Sequence, residues 1–220
     1  FKTSIITIGE KIQWIINYPD IRILISMATG DQVVKVMGEI LGHFRFNENF
    51  RFLFPEFCPK AKTAADFGSQ EGFTVPCRQR KWLKESTVAS CSVGKVIASF
   101  HYEVISHSDL VDKENVKTPG QIHDVISHFG YTNPLLERSP VPPHHGWVYV
   151  EGTRYDDGEL YGVILDAEEK LKPEERQWFS SVRSAKKPDG SAFWPARWPL
   201  SELERMEKDP TIGPAMVAAL

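Results

Sequence analysis

The sequence predicts an α/β fold whose mostly parallel central sheet is flanked by helices on both faces. Three observations carry this expectation: short β-branched apolar runs bounded by turn residues, helical periodicity between them, and repeated alternation of the two along the chain. With 220 residues, 41% hydrophobic and 25% charged, the chain can bury a substantial core.

Taken in order, Ile5, Ile8, Ile12, Ile15 and Ile16 recur at helical spacing and predict a helix over 3–17, which Tyr18-Pro19-Asp20 ends because proline cannot continue the ladder. Ile21 to Met27 (IRILISM) is short, mostly apolar and β-branched, bounded by turn residues, as expected of a buried strand. A second helix is expected from about Asp31, which can cap it, to Phe44. The aromatic run Phe46 to Phe57 predicts a short helix and a turn. Residues 60–72 read as a loop, and 73–75 and 87–91 as strand candidates. Tyr102 to Ser106 (YEVIS) predicts a strand running into His107-Ser108-Asp109, and Thr118-Pro119 opens another helix. After the rigid loop 139–146 (SPVPPHHG) come the strand Trp147 to Glu151 (WVYVE) and a helix over roughly 157–170. The tail 171–220 is less regular, with a helix near 200–207.

Bulk properties exclude several classes. Twenty-six basic against 29 acidic residues give a net charge of −3, so no overall basic field advertises nucleic acid. The densest basic stretch, 78–84 (RQRKWLK), suits either phosphate contact or a solvated face. Cys58, Cys77 and Cys91 form no CxxC pair, which argues against both a zinc site and a disulfide framework. No apolar run approaches a membrane span, and no secretory signal opens the chain. The chain opens abruptly on Phe1 and an amphipathic pattern, as expected of a fragment.

Ligands bind at the carboxyl ends of strands in such sheets, so chemistry is sought there. Phe1-Lys2-Thr3-Ser4 opens a helix, where free N–H groups, a lysine and a hydroxyl suit phosphate and Mg²⁺, although Lys-Thr also opens many helices by chance. Asp109 ends an apolar strand, the place of a metal-binding or water-activating acid or simply of a turn cap. Gly152-Thr153-Arg154 puts a hydroxyl and a guanidinium at the next strand end. They suit γ-phosphate sensing, or a turn in which Arg154 pairs with Asp156, Asp157 or Glu159. His101, His107, His144 and His145 lack metal-ligand spacing and read as loop or strand-end surface residues.

These segments together resemble the ATPase domain of phage large terminases. The stretch 101–119 (HYEVISHSDLVDKENVKTP) is similar to that family's Walker B region, and 150–165 (VEGTRYDDGELYGVIL) to its coupling segment. The opening stretch FKTSIITIGEKIQWIINYPDIRILISMAT is similar to the end of a Walker A motif with its helix and next strand. FWPARWPLSELERM resembles the link toward a nuclease. The resemblance implies a P-loop NTPase fold, with an ATPase core over 1–170 that lacks the start of its Walker A loop. Residues 171–220 would be the end of that domain and a linker toward an absent nuclease. It implies ATP and Mg²⁺ as cofactors, double-stranded DNA as the cargo, and a homo-oligomeric ring in the host cytoplasm, working with a small terminase subunit and a portal protein. Lys2, Thr3, Ser4 and Gly152 would hold nucleotide. Thr3, Ser108 and Asp109 would face Mg²⁺, and Asp109, Thr153 and Arg154 would serve hydrolysis and coupling.

The sequence departs from the family pattern at Ser108, where a metal-binding Asp is expected, and at Glu103, which replaces a strand Asp. Phe1 stands where Gly precedes the lysine. A hydroxyl is a far weaker Mg²⁺ partner than a carboxylate. A catalytically degenerate P-loop module is therefore the alternative, and without a glycine-rich nest the chain as given is expected to bind ATP weakly. Arg78, Arg80 and Arg154 are all open as an arginine finger.

Overall fold

The computed structural model describes residues 2–62, 67–95, 98–138 and 146–218. The expected loop 139–146 thus lies, apart from Gly146, outside the described residues. Two compact units emerge, Phe1–Gly152 and Thr153–Leu220.

The first unit is built on a five-stranded sheet: β1 (Ile23–Met27), β2 (Gly72–Phe73), β3 (Val88–Ser92), β4 (Val104–Ser108) and β5 (Trp147–Glu151). Their order is β2-β3-β1-β4-β5, parallel throughout except for the antiparallel edge strand β2. The expected α/β class and mostly parallel sheet are therefore present. Strand β1 is buried along its whole length, which is why its sequence is apolar on both faces rather than alternating.

Each face of the sheet carries its own core. Ile23, Ile25, Val88 and Val104 pack with the helices α1 (Glu10–Asn17) and α2 (Gly30–Phe46) through Ile12, Ile15, Met37, Ile40 and Phe44. Leu24, Cys91 and Ile105 face the other way, with Tyr102 and Leu135. On that side α4 (Pro119–Thr132) sets Phe129 against the His107 ring, whereas a short helix, α3 (Glu48–Leu53), packs Phe50 on the first core.

Three details differ from expectation. Residues Thr3–Gly9 wind as a π-helix before α1, and Ile5 is 66% exposed. The wider i→i+5 winding carries Ile5 off the stripe that a 3.6-residue period would give it. Helix α2 is capped by Thr29, not Asp31. The Thr29 hydroxyl accepts from the Gln32 N–H, and the Gln32 side chain accepts from the Thr29 N–H in return. His107 is not a surface residue. It lies inside β4, fully buried, with its ring bonded to the Thr132 hydroxyl at 3.2 Å. Burial, then the neighbouring His128, push its pKa down to about 3, which keeps it neutral.

The amino ends of β1 and β4 hold a buried charge cluster. Arg22 forks onto Glu103, with Nη2 to Oε1 at 2.6 Å and Nε to Oε2 at 3.0 Å, and stands 3.6 Å from Glu85 and 3.4 Å from Glu137. Burial lowers the pKa of the guanidinium most, yet the Glu103 hydrogen bond and the charges of Glu103, Glu85 and Glu137 together outweigh this and raise it.

In the second unit, α5 (Leu160–Glu169), α6 (Leu200–Lys208) and α7 (Gly213–Ala218) follow Thr153, and Ala185, Ala192, Leu203 and Val217 form a small core.

Candidate nucleotide site at the carboxyl ends of β4 and β5

Parallel pairing sets Ser108 directly opposite Glu151, the last residues of β4 and β5. The Ser108 hydroxyl donates to Glu151 Oε1 at 2.7 Å, and the Thr7 hydroxyl donates to the same oxygen. All three side chains are buried. The next residue, Asp109, turns the chain off the sheet with φ +46°. Asp is one of the few side chains that tolerate this left-handed conformation. Two backbone bonds hold the turn, from the Asp109 N–H to the Glu151 carbonyl at 2.9 Å and from the Ala28 N–H to the Asp109 carbonyl at 3.2 Å.

The amino-terminal turn reaches this strand end. Lys2 Nζ donates to the Gly152 carbonyl at 2.7 Å, and the Thr3 hydroxyl hydrogen-bonds the Asp109 carboxylate. Burial raises the pKa of Asp109 and the nearby Glu151 adds to the rise, while the charge on Lys2 and the Thr3 hydroxyl oppose it. Behind them Lys11 is fully buried, 3.0 Å from Glu10 Oε2 and with its ammonium 3.5 Å from the centre of the Tyr149 ring. Burial lowers its pKa against the pull of Glu10 and Glu151.

Of the candidate residues, Lys2, Thr3, Ser108, Asp109 and Gly152 are thus brought to one place. Ser4 is exposed in the same turn. Thr153 and Arg154 open the second unit, where the Arg154 guanidinium is 3.3 Å from Asp157 and 3.6 Å from the buried Glu159. Gly162 makes that turn possible: a Cβ there would stand 2.2 Å from the Asp157 carbonyl and 3.1 Å from Arg154 Nη2. The Leu-Tyr-Gly part of the motif thus has a packing cause.

The stretch 78–84 divides. Arg78 is buried and donates to the Glu85 carbonyl at 2.5 Å, and Arg80 stands 3.8 Å from Glu103. Both lie with the charge cluster at the amino ends of β1 and β4, the opposite end of the sheet from Asp109. Lys81, Trp82 and Lys84 are exposed.

Sequence reasoning missed Glu151, Thr7 and Lys11. Glu151 had a legible signal, an acid closing an otherwise apolar strand immediately before Gly-Thr-Arg. Thr7 and Lys11 had none, because the π-turn decides which residues face the sheet.

No protein-family model matches this chain, and neither does any curated protein. Among the described residues, no group of three or more His, Cys, Asp or Glu side chains is arranged to hold a metal ion, and no helix is long and apolar enough to cross a membrane.

Proposed function

We propose that this chain is the ATP-hydrolysing core of a viral DNA-packaging terminase, coupling hydrolysis to translocation of double-stranded DNA into a prohead. The observation that supports it is the meeting of Lys2, Thr3, Asp109 and Gly152 at the carboxyl ends of adjacent parallel strands. Three segments far apart in the chain, each similar to a different terminase motif, converge on one spot where such sheets bind ligands.

The donor set fits magnesium and nucleotide. Mg²⁺ in phosphoryl-transfer sites takes one or two carboxylates, with the substrate's phosphates and water completing its shell. Thr3, Asp109 and Glu151 offer hard oxygens of that kind within the first unit. Bound MgATP supplies the phosphoryl group and the cation that neutralises its charge. Lys2, whose charge reaches Asp109 from beside the Gly152 carbonyl, would balance phosphate charge. Asp109, with its raised pKa, orients the attacking water and accepts its proton more readily than an ordinary aspartate. The motor works as a ring of copies of itself, with a small terminase subunit and a portal protein, and its contacts with DNA are phosphate-directed and salt-sensitive.

The experiment is ATP turnover by the full protein carrying this sequence, with and without duplex DNA, together with a forked-duplex unwinding assay. A terminase motor hydrolyses ATP and leaves the fork paired. Unwinding would indicate a helicase, and absence of turnover a degenerate module.

A further inference from the structure

We infer that Glu151 supplies, from β5, the metal-binding carboxylate that the resemblance expects on β4 at position 108. The inference rests on the nucleotide-site reading above and deepens it.

Register is the first argument. Ser108 and Glu151 are paired residues of adjacent parallel strands and stand at the same height on the sheet. The Ser108 hydroxyl touches Glu151 Oε1 at 2.7 Å, so a carboxylate already lies beside the place where the strand acid belongs. The acid has moved sideways by one strand.

The second argument is charge. An Asp at position 108 would press a second buried carboxylate against Glu151, and two like charges at that distance cannot both ionise cheaply. Ser108 instead donates a hydrogen bond to the acid, as does Thr7. A small donor on β4 and an acid on β5 therefore form a matched pair. The exchange leaves Asp109 and Glu151 as the carboxylates at these two strand ends, and the Asp109 backbone N–H bonds the Glu151 backbone carbonyl.

The third argument is chemical. A hard dication prefers charged oxygen, and a serine hydroxyl already donating to a carboxylate is a poor ligand. Two hydroxyl donors on one oxygen fix the orientation of the Glu151 side chain, the role that supporting hydrogen bonds play around metal-binding carboxylates. Buried Lys11 is drawn electrostatically to the same acid.

The test uses Mn²⁺ as probe, with binding to the full protein carrying this sequence followed by the paramagnetic resonance of free ion, in the presence of ADP. Glu151→Gln keeps an oxygen that accepts from Ser108 and Thr7 while removing the charge. It is expected to weaken Mn²⁺ binding by about tenfold or more. Ser108→Ala is expected to weaken binding less than Glu151→Gln does, because it removes one of two bonds that orient the acid and not the ligand itself. Adding Ser108→Asp to Glu151→Gln returns the carboxylate to β4 and is expected to recover most of the loss. Circular dichroism confirms that each variant is folded.

If Glu151→Gln binds Mn²⁺ as the parent does while Asp109→Asn does not, the inference about Glu151 is overturned and the nucleotide site stands. Loss of binding in Ser108→Ala as complete as in Asp109→Asn would make the serine itself the ligand, again overturning it. If the parent protein binds no Mn²⁺ with ADP, both readings fall.

Discussion

Replacing Arg22 by methionine should cost the first unit about 4 kcal/mol, because breaking a buried ion pair from one side costs roughly 3–5 kcal/mol. The structure puts this site at the costly end of that range. Arg22 is 5% exposed, and its loss strands Glu103 and Glu85, themselves 5% and 4% exposed. Glu103 would keep the N–H of residue 22 at 2.7 Å, and Glu85 the N–H of His101 at 3.0 Å, but the ion pair left to Glu103 would be the longer one to half-buried Arg80 at 3.8 Å. With a urea slope of about 2 kcal/mol per molar, the midpoint should fall by about 2 M. Combining Arg22→Met with Glu103→Gln removes one of the stranded charges and should recover about 1–2 kcal/mol. The pH dependence changes as well. In the parent, burial pushes the Glu85 carboxyl up, but backbone donors and Arg22 bring it below its ordinary value. Its contribution is therefore present above about pH 4.5 and is lost as pH falls through the lowered folded value. Without Arg22 one of the influences that lower Glu85 is gone, so the loss of stability on the acid side should be smaller in the variant. A loss under about 1 kcal/mol in urea titrations would refute the view that this cluster is desolvated and that Glu103 serves structure alone.

Other outcomes are more local. Thr29→Ala removes the hydroxyl that caps α2 and should cost about 1 kcal/mol in chemical denaturation. The Cys91 thiol, pushed by burial up to about 11, should escape alkylation in the native protein at pH 8 and react only on unfolding. Mass spectrometry of labelled protein reads this directly, with half-buried Cys77 as the internal comparison.

The fold class was legible because its signals are local. Ile23 to Met27 is apolar on both faces since both are covered, and Pro119 and Thr118 announce α4 by backbone chemistry that needs no partner. Strand β4 was legible in kind but begins and ends later than its apolar run, because pairing with β5 carries it through His107 to Ser108. His107 looked like a surface residue, since nothing in the sequence reveals that Thr132, 25 positions away, will meet its ring. The candidate site was half legible. Asp109 and Gly152 stand beside turns that the chain writes plainly. Glu151, Thr7 and Lys11 gain their meaning from register and from a π-turn, both settled by tertiary packing. The Arg22 cluster went unread for the same reason: its members are scattered from 22 to 137, and only the sheet gathers them.

The central claim is that Asp109 and its neighbours form a nucleotide-hydrolysing site, and Asp109→Asn probes it cleanly. Asn tolerates the left-handed backbone at φ +46° as Asp does, and its side chain can still bond the Thr3 hydroxyl, so the change removes charge and basicity with little strain. Steady-state ATP turnover by the full protein carrying this sequence is the measurement. The account predicts turnover in the parent and a loss of at least about a hundredfold in Asp109→Asn, with the fold intact by circular dichroism. Equal turnover in the two proteins, or none in either, would contradict it.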